Sequence, residues 1–409
     1  MASRQYYYSK WFNNLLRNTF GNYLLKRFHV RIYNEQIRDV KPPYIIISNH
    51  VGTWDPFILS MGVPDPVYFV ISDAHFRHFW LRQVFKLVGG IPKAKQIADS
   101  TTIRAILSVI KNNGVIGLYP EGARNWDLKN IEVIYPTAKL IKSLKVPVVA
   151  TAMEGAGLTK PRWARSSRSG HINLNYSLLL TPEQIKEMSV DEIYQKVVDG
   201  IHVNEYHWQE KNRVLFKGKN LAEYLDMFLV VCPRCKNLCS LYSHGNTLSC
   251  THCGYAVDYD EYGYFSTKDE PYFLNPQTWS DWQSSWLNDL FSQSEYICGE
   301  KVLFSDVKTK LFTGKRRGKL RQYYWLGKVE LFFDRIVFTP ERGDNYVFPI
   351  DRITGVNVQN NNKFEFYYED NLYRFKFTTQ HKSVYKYELA FKLIAKMNEQ
   401  KEKNQTDHA

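Results

Sequence analysis

The sequence is short of cysteine, of acidic charge and of long apolar runs, and each shortage excludes something. Six cysteines occur in 409 residues, and five of them fall between positions 232 and 253. Clustering of that kind, without an export signal, argues against a disulfide framework and for a metal site. No stretch approaches the roughly 18 consecutive apolar residues that a membrane-crossing helix needs. The start, "MASRQYYYSKWFNNLLRNTFGNYLLKRFHV", lacks the continuous apolar core and small-residue cleavage site of a signal peptide. Acidic residues number 41 against 54 Lys and Arg, a formal charge of +13. That imbalance calls for an anionic partner, either a nucleic acid or a membrane surface, and composition alone does not choose.

What is present is ample for folding. Hydrophobic residues make up 44% and aromatics 15%, and the length favours two or three domains. Residues 1–30 read as amphipathic helices in which Trp11, Phe12, Leu15, Leu16, Phe20, Leu24, Leu25 and Phe28 recur at helical spacing among Lys10, Arg17, Lys26 and Arg27. A basic, aromatic-bearing helix of this type suits a membrane interface, or packs on the next domain.

Residues 31–228 alternate apolar runs with helical patterns. "YIIIS", "PVYFVIS", "GVIGLYP" and "VPVVATAM" are strand candidates, separated by "HFWLRQVFKLVG", "STTIRAILSVIKNNG" and "TAKLIKSLK". This alternation predicts an α/β domain with a largely parallel sheet, followed by a helical extension over 181–228 that includes "NLAEYLDMFLV". A cysteine-rich segment spans 229–265 and a tryptophan-bearing linker helix lies within 266–298. Residues 299–400 alternate apolar and polar positions between turns at "ERGDN", "NNN" and "EDN". They predict an antiparallel β-barrel or sandwich closed by one terminal helix, with a polar tail at 401–409.

Two segments of the first domain carry chemistry. In "IIISNHVGTWDPF" an apolar strand ends in Asn49 and His50, and Asp55 follows before Pro56. A histidine and a carboxylate delivered together at the C-terminal end of a parallel strand can act as a general base and the group that orients it. In "GLYPEGARNWD" another apolar strand ends in a turn with Glu121, Gly122 and Arg124. Gly122 allows close approach to a ligand, and Arg124 offers a planar fork suited to phosphate.

Together these blocks resemble the glycerolipid acyltransferases that make phosphatidate from lysophosphatidate. The resemblance rests on Asn49-His50 with Asp55, on "GGIPKAK" at 89–95, on Tyr119-Pro120-Glu121-Gly122-Ala123-Arg124, and on Val146-Pro147-Val148-Val149, in that order. The resemblance covers roughly residues 30 to 180. It implies acyl transfer from acyl-CoA or acyl carrier protein to a lysophospholipid hydroxyl, with His50 and Asp55 catalytic. Glu121, Gly122, Arg124, Lys95 and Lys93 would form the acceptor's phosphate site. Lys95 stands where the family usually has Arg, and a lysine neutralises a phosphate without gripping it bidentately, which leaves the acceptor's head group open. Another lysolipid acceptor, or a catalytically silent adaptor that binds membrane or protein, are the alternatives.

Cys232, Cys235, Cys250 and Cys253 have the spacing of a zinc ribbon, in which four thiolates close a structural Zn²⁺ site. The C-terminal block resembles the PH-like and GRAM-like small barrels, many of which bind membrane lipids. Lys315, Arg316, Arg317, Lys319 and Arg321 beside Phe312, Tyr323, Tyr324 and Trp325 suit an anionic leaflet. A nucleic-acid partner is not expected, because "CSLYSHGNTLSC" contains no Lys or Arg and "DYDEY" after it is acidic. The sum is a peripheral protein on the cytoplasmic face of a membrane, with no transmembrane span.

Overall fold

The computed structural model describes residues 8–77, 79–93, 100–268, 270–315, 318 and 320–406. They fall into two compact units, 1–219 with 261–263, and 220–260 with 264–409. Among the described residues no helix is long and apolar enough to cross a membrane.

The first unit is built on a seven-stranded sheet. Its strands are β1 (Val30–Tyr33), β2 (Tyr44–Ser48), β3 (Val67–Ser72), β4 (Ile91–Lys93), β5 (Val115–Leu118), β6 (Val148–Glu154) and β7 (Ile172–Leu180), in the order β1-β7-β6-β2-β5-β3-β4. Strands β2 to β6 run parallel, β7 runs antiparallel to β6, and β1 runs parallel to β7. The isoleucine run has a clear cause. Ile45 and Ile47 enter one apolar cluster while Tyr44 and Ile46 enter the other, so both faces of β2 are covered. Burial of each such isoleucine contributes roughly 1.5–3 kcal/mol.

This order creates a crevice. From β2 the chain leads past β5 to β3, whereas from β5 it leads past β2 to β6. Neighbouring strands whose connections depart in opposite directions form a topological switch point, where α/β sheets bind ligands. Both chemistry-bearing segments lie there, one after β2 and one after β5.

The second unit holds a small antiparallel sheet of β8 (Leu241–His244), β9 (Thr247–Cys250), β10 (Ala256–Tyr259) and β11 (Phe265–Ser266), followed by the helix Pro276–Phe291. Two further antiparallel sheets follow. One contains β12 (Phe304–Asp306), β15 (Gly327–Leu331), β16 (Arg335–Pro340) and β17 (Tyr346–Pro349). The other contains β13 (Thr309–Lys315), β14 (Arg321–Tyr324), β18 (Ile353–Gln359), β19 (Lys363–Tyr368) and β20 (Asn371–Phe377). Phe338 on β16 stacks on Phe375 of β20 with ring centroids 5.5 Å apart, so aromatic side chains fill the space between the sheets. The helix Tyr385–Thr406 ends the described chain.

Two sequence expectations change. "NLAEYLDMFLV" is not a continuous helix, for Asn220 and Tyr224 take left-handed conformations and only Leu225–Met227 forms a short helical turn. The buried Gln283 side chain takes up the Val230 N–H and the Phe228 carbonyl there, replacing helical partners. The apolar helix "HFWLRQVFKLVG" shortens to Phe79–Leu87 and buries none of its residues. Phe79 and Trp80 face solvent instead of a core.

Candidate active site

The loop after β2 folds back on itself around one carboxylate. Asp55, at the start of the helix Asp55–Ser60, is buried. Its Oδ2 lies 2.9 Å from Nδ1 of His50 and also accepts the backbone N–H groups of Val51 and Gly52, each at 2.8 Å. These contacts fix the loop and direct Nδ1 toward the carboxylate, so Nε2 is the ring nitrogen on the side away from Asp55. The His50 side chain is 22% exposed and that of Asp55 only 3%, so the imidazole is reachable while its partner is shielded.

Hydrogen bonds and a ring contact join this loop to the one after β5. The backbone N–H of His50 donates to Oε1 of Glu121 at 3.0 Å, that of Asn125 donates to the His50 carbonyl, and Arg124 Nη1 donates to Oγ1 of Thr53 at 3.3 Å. Tyr119 stacks on the His50 ring with centroids 4.2 Å apart. The hydroxyl of Tyr119 is buried and has no hydrogen-bond partner among the described residues.

Glu121 was expected among the phosphate contacts, and its carboxylate points inward. Besides His50, its oxygens accept Asn130 Nδ2 and the Ile131 N–H, both at 2.9 Å. Burial raises its pKa to about 7, against the lowering effect of these donors. Gly122 follows at φ +67° and is exposed, and a Cβ there would lie 2.6 Å from Ile134. The glycine therefore allows the turn that presents Arg124. Burial lowers the Arg124 pKa from its usual value, partly offset by Asp55; an arginine remains charged regardless.

His50, Asp55, Glu121, Gly122 and Arg124 thus come together. Lys93 ends β4, three strands from β2, or about 14 Å by strand spacing, at the same end of the sheet. Lys95 lies outside the described residues.

Other contributors carried weaker signals. Asn49 accepts the Met153 N–H and donates to the Met153 carbonyl, pinning the end of β2 to β6. Arg162 donates to the Arg124 carbonyl at 2.5 Å and lies over Trp126. Nothing in the sequence near 162 marks it as part of this site, because the contact spans 38 positions.

Residues 29–154 match the family model described as Acyltransferase. They form an acyltransferase-family domain. Among solved structures the chain resembles "1-acyl-sn-glycerophosphate (LPA) acyltransferase, PlsC, from Thermotoga maritima", at 17% identity and a TM-score of 0.41, over 49% of this chain and 80% of that one. No curated protein matches. In the acyltransferase domain, the His50–Asp55 pair and the 119–125 turn both fall within the matched residues.

A second site lies in the other unit. The sulfurs of Cys232, Cys235, Cys250 and Cys253 all lie within 4.8 Å of one another. The Cys232–Cys253 and Cys235–Cys250 separations are both 3.7 Å. Four thiolates about 2.3 Å from a tetrahedral Zn²⁺ have sulfur–sulfur edges near 3.8 Å, so the donor set fits a closed metal site.

Proposed function

We propose that this chain transfers a fatty acyl group from a thioester to the free hydroxyl of a lysophospholipid at a membrane surface, with lysophosphatidate as acceptor and phosphatidate as product. The observation that carries this reading is the 2.9 Å contact between His50 and Asp55 on a loop that Thr53 ties to Arg124. A base and an anion-binding group then face one crevice.

In this reading Nε2 of His50 takes the proton of the acceptor hydroxyl as its oxygen attacks the thioester carbonyl carbon. Asp55 holds the imidazole in the required tautomer and stabilises the imidazolium. Collapse of the tetrahedral intermediate breaks the carbon–sulfur bond, and the departing thiolate recovers the proton. The acceptor alcohol is the nucleophile, so no acyl-enzyme is required. Gly122 and Arg124, with Lys93 and Lys95, bind the acceptor's phosphate. Glu121 serves them by fixing the turn. Zinc in the Cys₄ site is structural.

Membrane contact rests on exposed apolar groups. In the first unit Trp11, Tyr23, Phe79 and Trp80 are more than half exposed, and the Ser9 N–H donates to the Leu87 carbonyl, joining the two helical segments. Phe20 packs edge-on against Trp54, the residue before Asp55, with centroids 5.1 Å apart. A leaflet engaged by this face would deliver lipid beside the site. In the second unit we read the two sheets and terminal helix as a PH-like or GRAM-like module. Trp325 is 72% exposed with Lys310 4.8 Å over its ring, a pairing suited to anionic lipid. Of the basic stretch, Arg316, Arg317 and Lys319 lie outside the described residues.

The test is product analysis by mass spectrometry after incubation with labelled acyl-CoA and a panel of lysolipids. Labelled phosphatidate formed only with lysophosphatidate supports the reading. A different diacyl product would reassign the acceptor, and no product with acyl-CoA or acyl carrier protein would overturn it.

A further inference from the structure

The first unit has a second feature that the chemistry above does not use. An open cavity of about 520 Å³ is rimmed by His29, Arg31, His171, Arg213 and Lys217, with Val214 and Leu215 beside them. Among the described residues no Asp or Glu lines it. Among the described residues, Arg31, Arg213 and Lys217 have no ion-pair partner. Three unpaired cations and two imidazoles around one hollow make a site for an anion carrying several charges.

The cavity is built, not a chance meeting of surface residues. His29 and Arg213 both adopt left-handed backbone conformations, at φ +47° and +50°, which cost a non-glycine residue about 1 kcal/mol or more each. His29 Nδ1 faces the Gly170 carbonyl at 2.9 Å. Arg213 donates its backbone N–H to the Gln209 carbonyl at 2.8 Å, and the buried Gln209 side-chain amide donates to the Val214 carbonyl and accepts the Val214 N–H. Ser169 and Lys217 exchange backbone hydrogen bonds at 2.7 and 2.9 Å. Burial lowers the His171 pKa from its usual value, and Arg31 and His29 lower it further.

Its position ties it to His50. His29 precedes β1 and His171 precedes β7, and β7 begins where β6 ends, with Asn173 opposite Glu154. In turn Thr151 of β6 lies opposite Ser48 of β2. The cavity therefore opens at the same end of the sheet as His50, two to three strands away and about three residues further along, or about 14–17 Å in all. The pantetheine arm of coenzyme A, comparable to four or five extended residues, spans about 15 Å.

We propose that this cavity binds the 3′-phosphorylated adenosine diphosphate end of a coenzyme A thioester, so that the pantetheine arm reaches along the strand ends to His50. Arg31, Arg213 and Lys217 would engage the phosphates, and Val214 and Leu215 would lie under the adenine. The assignment rests on the acyl-transfer reading for its donor class, and it selects coenzyme A over acyl carrier protein.

The first test is calorimetric titration of the full chain with adenosine 3′,5′-bisphosphate, which reports on the cavity whatever the enzyme catalyses. Saturable binding is expected, weakened tenfold or more in an Arg31→Ala, Arg213→Gly double variant. Glycine suits the left-handed backbone at 213, so that change removes the cation without adding strain. No binding to wild type, or equal binding to the double variant, would overturn the assignment. A second arm compares donors: wild-type kcat/KM should be at least tenfold higher with acyl-CoA than with acylpantetheine, and equal values would also overturn it. Bisphosphate binding that the double variant loses, without thiol release from any donor, would leave the nucleotide site standing and remove the acyl-transfer reading.

Discussion

Oε1 of Glu121 accepts the backbone N–H of His50 at 3.0 Å, across 71 positions of sequence. A carboxylate that resembles a ligand-binding group in the sequence thus acts on the backbone of the histidine. Glu121→Gln would turn an amide N–H₂ toward one of three N–H donors, leaving a buried donor unmatched at a cost of about 1–3 kcal/mol. Expected is a lowered melting temperature and a kcat reduced about tenfold or more. A Glu121 variant that lost only acceptor affinity, at unchanged kcat, would instead place the group on the phosphate.

Asp55→Asn should be far more damaging than its small change in shape suggests. Oδ2 of Asp55 takes three N–H donors, and an amide there would favour the wrong tautomer of His50. By analogy with serine-protease triads, kcat should fall by roughly 10³–10⁴. Steady-state thiol release at matched folding, checked by circular dichroism, measures it. A loss below tenfold would remove Asp55 from the mechanism.

Glu205 offers a test of stability against pH. It is buried, its oxygens accept the Gly155 and Gly157 N–H groups at 2.7 Å, and burial raises its pKa from 4.5 to about 8. The folded state therefore holds this proton more tightly than the unfolded state. The resulting stabilisation is complete below about pH 4.5 and is lost as pH rises through about 8. The melting temperature should fall between about pH 6 and pH 9, with a shallower fall in Glu205→Gln. Equal slopes would show that other groups dominate.

The cysteine cluster should hold one zinc ion per chain by elemental analysis. Cys250→Ser or a strong chelator should raise amide exchange across residues 229–259, because binding energy at such a site is folding energy. Wild-type protein that is metal-free after purification without chelator, yet protected there, would contradict the assignment.

The exposed aromatics predict a vesicle-binding defect. Trp11→Ala with Trp80→Ala should weaken sedimentation with anionic vesicles by about tenfold or more, both being largely exposed and free to insert. Unchanged sedimentation would place membrane contact elsewhere.

Much of the fold could be read from local pattern. The run Ile45–Ile47 announced a strand because both faces of β2 are covered, and the spacing of Ser100–Lys111 announced its helix. β1 and β4 were not recognisable, for four and three residues carry too little periodicity. The conformation of 220–230 depends on Gln283, more than fifty positions away, and no local propensity encodes that. At the site, motif order placed His50, Asp55, Glu121 and Arg124 at one end of the sheet. The inward turn of Glu121, the contact of Arg162 and the cavity around Arg213 required the folded chain, since each joins distant segments.

In the proposed mechanism His50 is the base that activates a lysophospholipid hydroxyl. The most direct test of that role is thiol release from acyl-CoA in detergent micelles, with and without lysophosphatidate, for wild type and His50→Ala. Expected is acceptor-dependent release in wild type that disappears in the variant while its melting temperature is retained. Acceptor-dependent release that persists in a folded His50→Ala protein would contradict it.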